Sequence, residues 1–279
     1  MKLLLFKTLW GHEGSLSEAV AHAREDGFDG IEGPVPPGRE KEWFDRLAGL
    51  PWIAEICTCT PPGFYIPEPG RSPAEHLDSL ARSADAALGG SPLFLTTMAG
   101  WDAWNFSEMV GFLEGVVELE AKLGAAIRVE THRTRCTYSP WITRELLREL
   151  PEIRLTCDFS HWCVVTERLV LDEDPGLLDL VADCAAHIHA RVGHAQGPQV
   201  IDPRAPMHAT DLEAHTRWWR HLWKTMAARG ETRVTMTPEA GPDGYQPCDL
   251  SGRPLANLRE VNRWMAAHLR AAFPGGLEE

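Results

Sequence analysis

The feature that most constrains this chain is the stretch from Ile153 to His194, where two short apolar runs each end in metal-binding side chains. The run from Ile153 to Phe159 alternates apolar residues, delivers Asp158 and is followed by His161. The run starting at Ala185 delivers His187, His189, Arg191 and then His194. A strand that buries its body and releases polar groups at its end is the pattern of an α/β barrel, whose chemistry gathers at the C-terminal strand ends. Two further strands end the same way, Ala125–His132 in Glu130 and His132, and Arg233–Thr237 in Glu239 two residues on.

The rest of the chain repeats this alternation. Strands are expected at Leu3–Leu9, Ile31–Glu32, Trp52–Cys59 and Pro92–Met98, before the four already named. Helical spacing marks Ser15–Asp26, Glu40–Leu50, Ala74–Leu88, Asn105–Leu123, Ile142–Leu150, Pro175–Ala182, Leu212–Arg229 and Leu255–Phe273. Proline and glycine punctuate the loops at Pro34–Arg39, Pro61–Pro73 and Gly193–Asp211. Eight strand–helix units at even spacing, with no shift in composition, predict one closed parallel (β/α)8 barrel over 1–279.

Composition removes several function classes. The net charge is −13, with 27 Lys+Arg against 40 Asp+Glu, and a nucleic-acid partner calls for a basic surface. No apolar run approaches the ~20 residues of a membrane helix, and the four apolar residues before Lys7 are too few for a signal-peptide core. A cytoplasmic protein with no membrane partner is expected. The cysteines number 7 and form no Cys-x-x-Cys pair, so they read as small reduced core residues.

Glu130, Asp158, His189 and Glu239 form a set suited to one divalent ion, Mn²⁺, Mg²⁺, Co²⁺ or Zn²⁺. A lone strand-end Glu or His is more often structural; four consecutive strands ending alike point to a shared site. Such an ion polarises a carbonyl and the adjacent hydroxyl, easing enediolate formation. Glu130 and Glu239 can double as the proton-transferring bases, since a carboxylate that holds metal through one oxygen can carry a proton on the other. His161, His132, Arg191, Glu32 and His194 are the candidate substrate contacts. Glu55, ending the third strand, is an even choice between pocket and structural pairing. His187 and His189 face the same side of their strand, so that one can ligate and the other support it. Trp218, Trp219 and Trp223 read as helix packing.

At these residues the chain resembles the xylose isomerase-like superfamily of sugar phosphate isomerases and epimerases. The turn from Gly27 to Glu32, then Glu130, Asp158 with His161, His187 with His189, and Glu239 stand in that family's order. In its ketose 3-epimerases the equivalent Glu, Asp, His and Glu bind one divalent metal. The two glutamates there move the proton and the His three after the Asp contacts substrate. These roles would fall on Glu130, Asp158, His189, Glu239 and His161. Where those epimerases carry a substrate-contacting Glu and Arg, this chain has Cys136 and Ala195, so the resemblance carries the metal chemistry further than the substrate. It implies a metal-dependent isomerase or epimerase acting on a carbohydrate, phosphorylated or not, with a homodimer left open. The alternatives are a three-zinc apurinic-site endonuclease, a keto-sugar lyase or hydrolase, and a sugar-binding barrel without catalysis.

Overall fold

A computed structural model describes residues 1–61 and 64–274. Pro62 and Gly63 of the expected loop, and 275–279 at the end of the expected domain, lie outside the described residues. The described chain forms a closed barrel of eight parallel strands in sequence order. They are β1 (Lys2–Thr8), β2 (Gly30–Gly33), β3 (Trp52–Cys57), β4 (Leu95–Met98), β5 (Ile127–Glu130), β6 (Leu155–Cys157), β7 (Ala185–Ala190) and β8 (Arg233–Pro238). Closure runs through β1 and β8, with Lys2 opposite Arg233 and Leu5 opposite Met236. Around it stand α1 (Leu16–Glu25), α2 (Glu40–Leu47), α3 (Pro73–Leu88), α4 (Phe106–Leu123), α5 (Pro140–Glu149), α6 (Ser160–Thr166), α7 (Pro175–Cys184), α8 (Ala209–Ala228) and α9 (Leu258–Ala272). Among the described residues no helix is long and apolar enough to cross a membrane.

Local chemistry sets the helix starts. Ser15, Ser72 and Asn105 each close a capping box with a glutamate three residues on, and Gly124 ends α4 in the left-handed conformation. Short α6 follows β6 where the sequence predicts no helix. It has no side-chain cap, spans seven residues and holds three β-branched side chains, Val164, Val165 and Thr166, so neither periodicity nor propensity announces it. The loop after β7 is also shorter than expected, because α8 starts at Ala209.

Alternation along the strands separates two apolar layers. Outward residues such as Leu5, Ile31, Leu95, Val129, Cys157, Ile188 and Met236 join the helices in the large core. Phe6, Ile53 and Phe94, with Leu4 and Ala126, form a separate cluster, the inward plug. Toward the C-terminal ends the same inward alternation turns polar: His187, His189 and Arg191 on β7 and just past it, Thr235, Thr237 and Glu239 on β8 and just past it. Thr96 and Thr156 bond across this layer at 2.6 Å. The barrel is therefore sealed by hydrocarbon at one end and holds its charge at the other.

Trp218, Trp219 and Trp223 are buried along one side of α8, at the spacing that faces a core. Trp223 ties three elements together: its Nε1–H points at Met236 Sδ on β8 (3.3 Å), and its ring meets Phe273 beyond α9 at 4.9 Å. Trp223→Ala should lower stability by about 3–5 kcal/mol in urea unfolding, the usual cost of emptying a large aromatic site; a loss well below that would mean the barrel collapses around the gap.

Candidate metal centre

Four of the expected ligands converge. Glu130, Asp158, His189 and Glu239 each offer an atom, all within 4.8 Å of one another, and all four side chains are buried. His189 Nδ1 lies 3.1 Å from Glu239 Oε2 and 3.4 Å from Glu130 Oε1. None of these three residues is used up within the protein: His189 Nδ1, Glu130 Oε2 and Glu239 Oε2 are buried without a hydrogen-bond partner. Orphaned donors and acceptors of this kind are costly, and a cation would satisfy them together. One imidazole and three carboxylates suit a borderline or hard divalent ion.

The tertiary structure gives Glu32 a different position from the substrate contact expected. Its carboxylate lies beneath the cluster, 1% exposed, accepting from His189 Nε2–H at 2.9 Å, from His187 Nε2–H at 3.1 Å, and from the Thr237 hydroxyl. Thr235 Oγ1 holds the other nitrogen of His187 at 2.9 Å. The partners thus place the His189 proton on Nε2 and turn Nδ1 toward Glu130 and Glu239, the arrangement by which a carboxylate orients a metal-binding histidine. The two strand-seven histidines divide the work that their shared face allows.

Asp158 is fixed from both sides. Its Oδ1 accepts from Ser160 N–H (2.9 Å) and Ser160 Oγ (2.5 Å), and Thr131 Oγ1 bonds its backbone at 2.8 Å. Arg191 Nη2 pairs with its Oδ2, and Arg191 Nε donates to Ser160 Oγ at 3.1 Å. Gly193 permits this approach, since a Cβ there would lie 2.7 Å from the Ser160 backbone.

Burial raises the Glu130 carboxyl to about 7. Burial acts the same way on Glu239, but His189 and Arg191 outweigh it and hold that carboxyl below its ordinary range. For His189 burial opposes the charged form, yet Glu239, Glu32 and Glu130 raise its pKa well above the ordinary value.

The remaining candidates sort by position. Glu130, Glu239, His132 and Arg191 reach the wall of a cavity of about 930 Å³. His161 stands deeper, fully buried, its ring 3.9 Å from that of His132. Arg191 Nη2 donates to its Nε2 at 2.8 Å, so the His161 ring is a neutral acceptor there. Burial, and then the neighbouring His132 and Arg191, keep its pKa well below the ordinary value. His194 is outside the cluster: it bridges to Gly197 in the loop after β7 and accepts from Gln196 N–H at 3.3 Å. There it shapes a turn.

Glu55, left open by the sequence, lines the cavity with Tyr245 and Trp10. Burial, then Glu239, Glu32 and Glu130, push its carboxyl up to about 8. Tyr245 has no sequence signal at all, ending a single 3-10 turn, Asp243–Tyr245, beyond β8. Its ring lies 4.8 Å beneath the Arg191 guanidinium, a cation–π contact that flattens Arg191 against the wall.

No protein-family model matches the sequence, and no curated relative matches it. Solved structures do match in shape. A xylose isomerase-like TIM barrel protein from Mycobacterium smegmatis in complex with magnesium shares 13% identity and a TM-score of 0.60, over 96% of this chain and 97% of that one. The fold is that of the xylose isomerase-like barrels. The 3-keto-D-glucoside 4-epimerase of E. coli matches at 16% identity and a TM-score of 0.59, over 97% of this chain and 100% of that one. Endonuclease IV from Thermus thermophilus matches at 14% identity and a TM-score of 0.56, over 98% of each chain.

Two outcomes test the site. Glu32→Gln should weaken divalent-metal affinity about 10–100-fold in a competition titration with a chelating dye, the usual effect of losing such an orienting group. Unchanged affinity would show that His189 needs no clamp. The second concerns Glu55 in chelator-treated protein. The unfolded chain releases this proton near the ordinary 4.5 while the folded chain keeps it to about 8; the folded state binds more protons across that window, and stability falls as pH rises through it. Glu55→Gln should flatten that decline in urea unfolding followed across the window, and an unaltered pH profile would show that the group ionises freely.

Proposed function

We propose that this chain is a divalent-metal-dependent enzyme that moves a proton next to a carbonyl in a carbohydrate, as an isomerase or epimerase. The observation that carries the reading is that Glu130 and Glu239 belong at once to the four-ligand cluster and to the cavity wall. Glu130, Asp158, His189 and Glu239 would hold the ion. A bound divalent cation would polarise the carbonyl and adjacent hydroxyl oxygens and so acidify the carbon-bound proton.

The protein supplies the proton carriers. Glu239 takes the proton and Glu130 returns one: in the metal-free site His189 and Arg191 keep the first ionised, and burial makes the second the weaker acid. Two carboxyls driven apart in this way are suited to acid and base roles. Arg191 and His132 stand beside them to bind substrate oxygens, and His161 braces both from behind. Among the neighbours, the magnesium complex and the keto-glucoside epimerase agree with this reading.

The endonuclease alternative has a structural argument in its favour and a stronger one against it. Glu130, His132 and His161 also offer atoms within 4.8 Å of one another, as a second ion would need. The Arg191 guanidinium, however, touches His161 at 2.8 Å and places a fixed positive charge there, which repels a second cation. The −13 net charge also opposes a DNA substrate.

Elemental analysis of protein purified without chelator should find about one equivalent of divalent metal, lost in His189→Ala. The loaded protein should wash solvent deuterium into a carbon-bound position of a keto-sugar, followed by NMR. Glu239→Gln should keep the fold, weaken metal retention and slow the exchange about 10²–10⁴-fold, the contribution of a general base. A cluster of several zinc ions would favour the endonuclease. Absence of metal uptake would remove the four-ligand argument.

A further inference from the structure

The cavity is far larger than its chemistry requires. At about 930 Å³ it lies near the upper end of the range that encloses a drug-sized ligand, and a single sugar ring seated at Glu130 and Glu239 fills only a fraction of it. The remaining volume runs away from the metal ligands, along β1–β4. Its wall there is the proline run Pro34–Pro37, Ile56, Met98 and, at the far end, Ala86 and Ala87 of α3. Phe64 is the aromatic side chain that lines the cavity away from the metal end, whereas Trp10 and Tyr65 stand beside Arg191 and His132. Phe64 is 65% exposed although it lines the cavity, an apolar side chain at the mouth that a bound ligand would cover.

Charge in this distal arm is sparse. Arg82 is the basic side chain on its described wall, and Glu40 shares that wall. A phosphate group needs several converging donors, and one arginine facing a carboxylate does not provide them. The Glu40 carboxylate is already engaged with Gly38 N–H at 2.8 Å. A surface of proline, valine, isoleucine, methionine and Phe64 instead fits an uncharged, flat, apolar group.

We propose that the substrate is a glycoside whose sugar ring carries a ketone and whose aglycone is apolar and ring-containing, with the sugar at Glu130 and Glu239 and the aglycone along the arm lined by Pro34–Pro37 and Ala86; the unoxidised glycosides serve below as binding probes. This rests on the carbohydrate reading above and adds what the sugar carries. Burying an aromatic ring against such a wall strengthens binding through apolar area and ring contacts, while a methyl group in its place leaves the arm to water.

The test is calorimetric titration of the full Mn²⁺-loaded chain with matched methyl and 4-nitrophenyl glycosides of D-glucose, D-galactose and D-xylose, and with D-glucose 6-phosphate. For at least one sugar the 4-nitrophenyl glycoside should bind about tenfold or more tightly than its methyl partner, and glucose 6-phosphate should bind no better than methyl glucoside. Ala86→Trp, which plugs the far end of the arm, should erase the aryl advantage and leave methyl glycoside affinity unchanged. Val35→Asp, which places charge in the same arm, should do the same should Ala86→Trp not fold. Equal affinity of both members of every pair, or tightest binding of the phosphate, overturns the proposal. Methyl glycoside binding that disappears with EDTA but shows no aryl advantage overturns the aglycone alone. Loss of all metal-dependent sugar binding overturns the carbohydrate reading with it.

Discussion

The balance of charge around His189 governs the interior of this barrel. Glu32, Glu55, Glu130, Asp158 and Glu239 all approach the same end of it, and burying carboxylates together is costly unless each finds a partner. His189 answers from both faces of its ring, with Nε2 on Glu32 and Nδ1 between Glu130 and Glu239. Arg191 answers on the other side, against Asp158 and, at 3.6 Å, Glu239. The negative charge that His189 and Arg191 leave uncompensated is what a divalent ion at the orphaned atoms would neutralise. Glu55 lacks such a partner, and its carboxyl accordingly keeps its proton.

That concentration of charge is tolerable because the barrel is graded along its axis. Phe6, Ile53 and Phe94 plug the interior with hydrocarbon, and the threonine and histidine layer above exchanges hydrogen bonds within itself. Each step of two residues along β7 moves from structural support (His187) to candidate ligand (His189) to cavity wall (Arg191). The same register on β8 passes from Thr235 through Thr237, which bonds Glu32, to Glu239. The face on which each candidate ligand stands is thus built into strand periodicity, while Ser160 and Arg191, past the strand ends, fix Asp158.

The rim divides its labour around the circumference. β5–β8 contribute the candidate ligands and the proposed proton carriers, whereas the segments following β1, β2 and β3 contribute surface: Trp10, the Pro34–Pro37 run, Phe64 and Tyr65. Proline fixes its own backbone angle, so a wall made of it holds its shape without a hydrogen-bond ladder. Tyr245 links the halves, its ring 5.7 Å from Tyr65 and 4.9 Å from Trp10.

The sequence by itself determined the barrel and the four converging candidate ligands, because period-2 strands ending in Glu130, Asp158, His189 and Glu239 carry both messages in local order. It also placed His187 and His189 on one side of their strand, since residues two apart share a face. Only the tertiary structure decided which partner each polar group takes. Glu32 reads as a pocket residue until β2 is seen across the barrel from β7. His161 reads as a substrate contact until short α6 turns it behind His132. His194 reads as a site residue until the loop after β7 folds it onto Gly197. Tyr245 and the long apolar arm leave no trace in periodicity, because they arise where loops from distant strands meet. Alternation fixes the face on which a side chain stands; what stands opposite is set by the closure of the barrel.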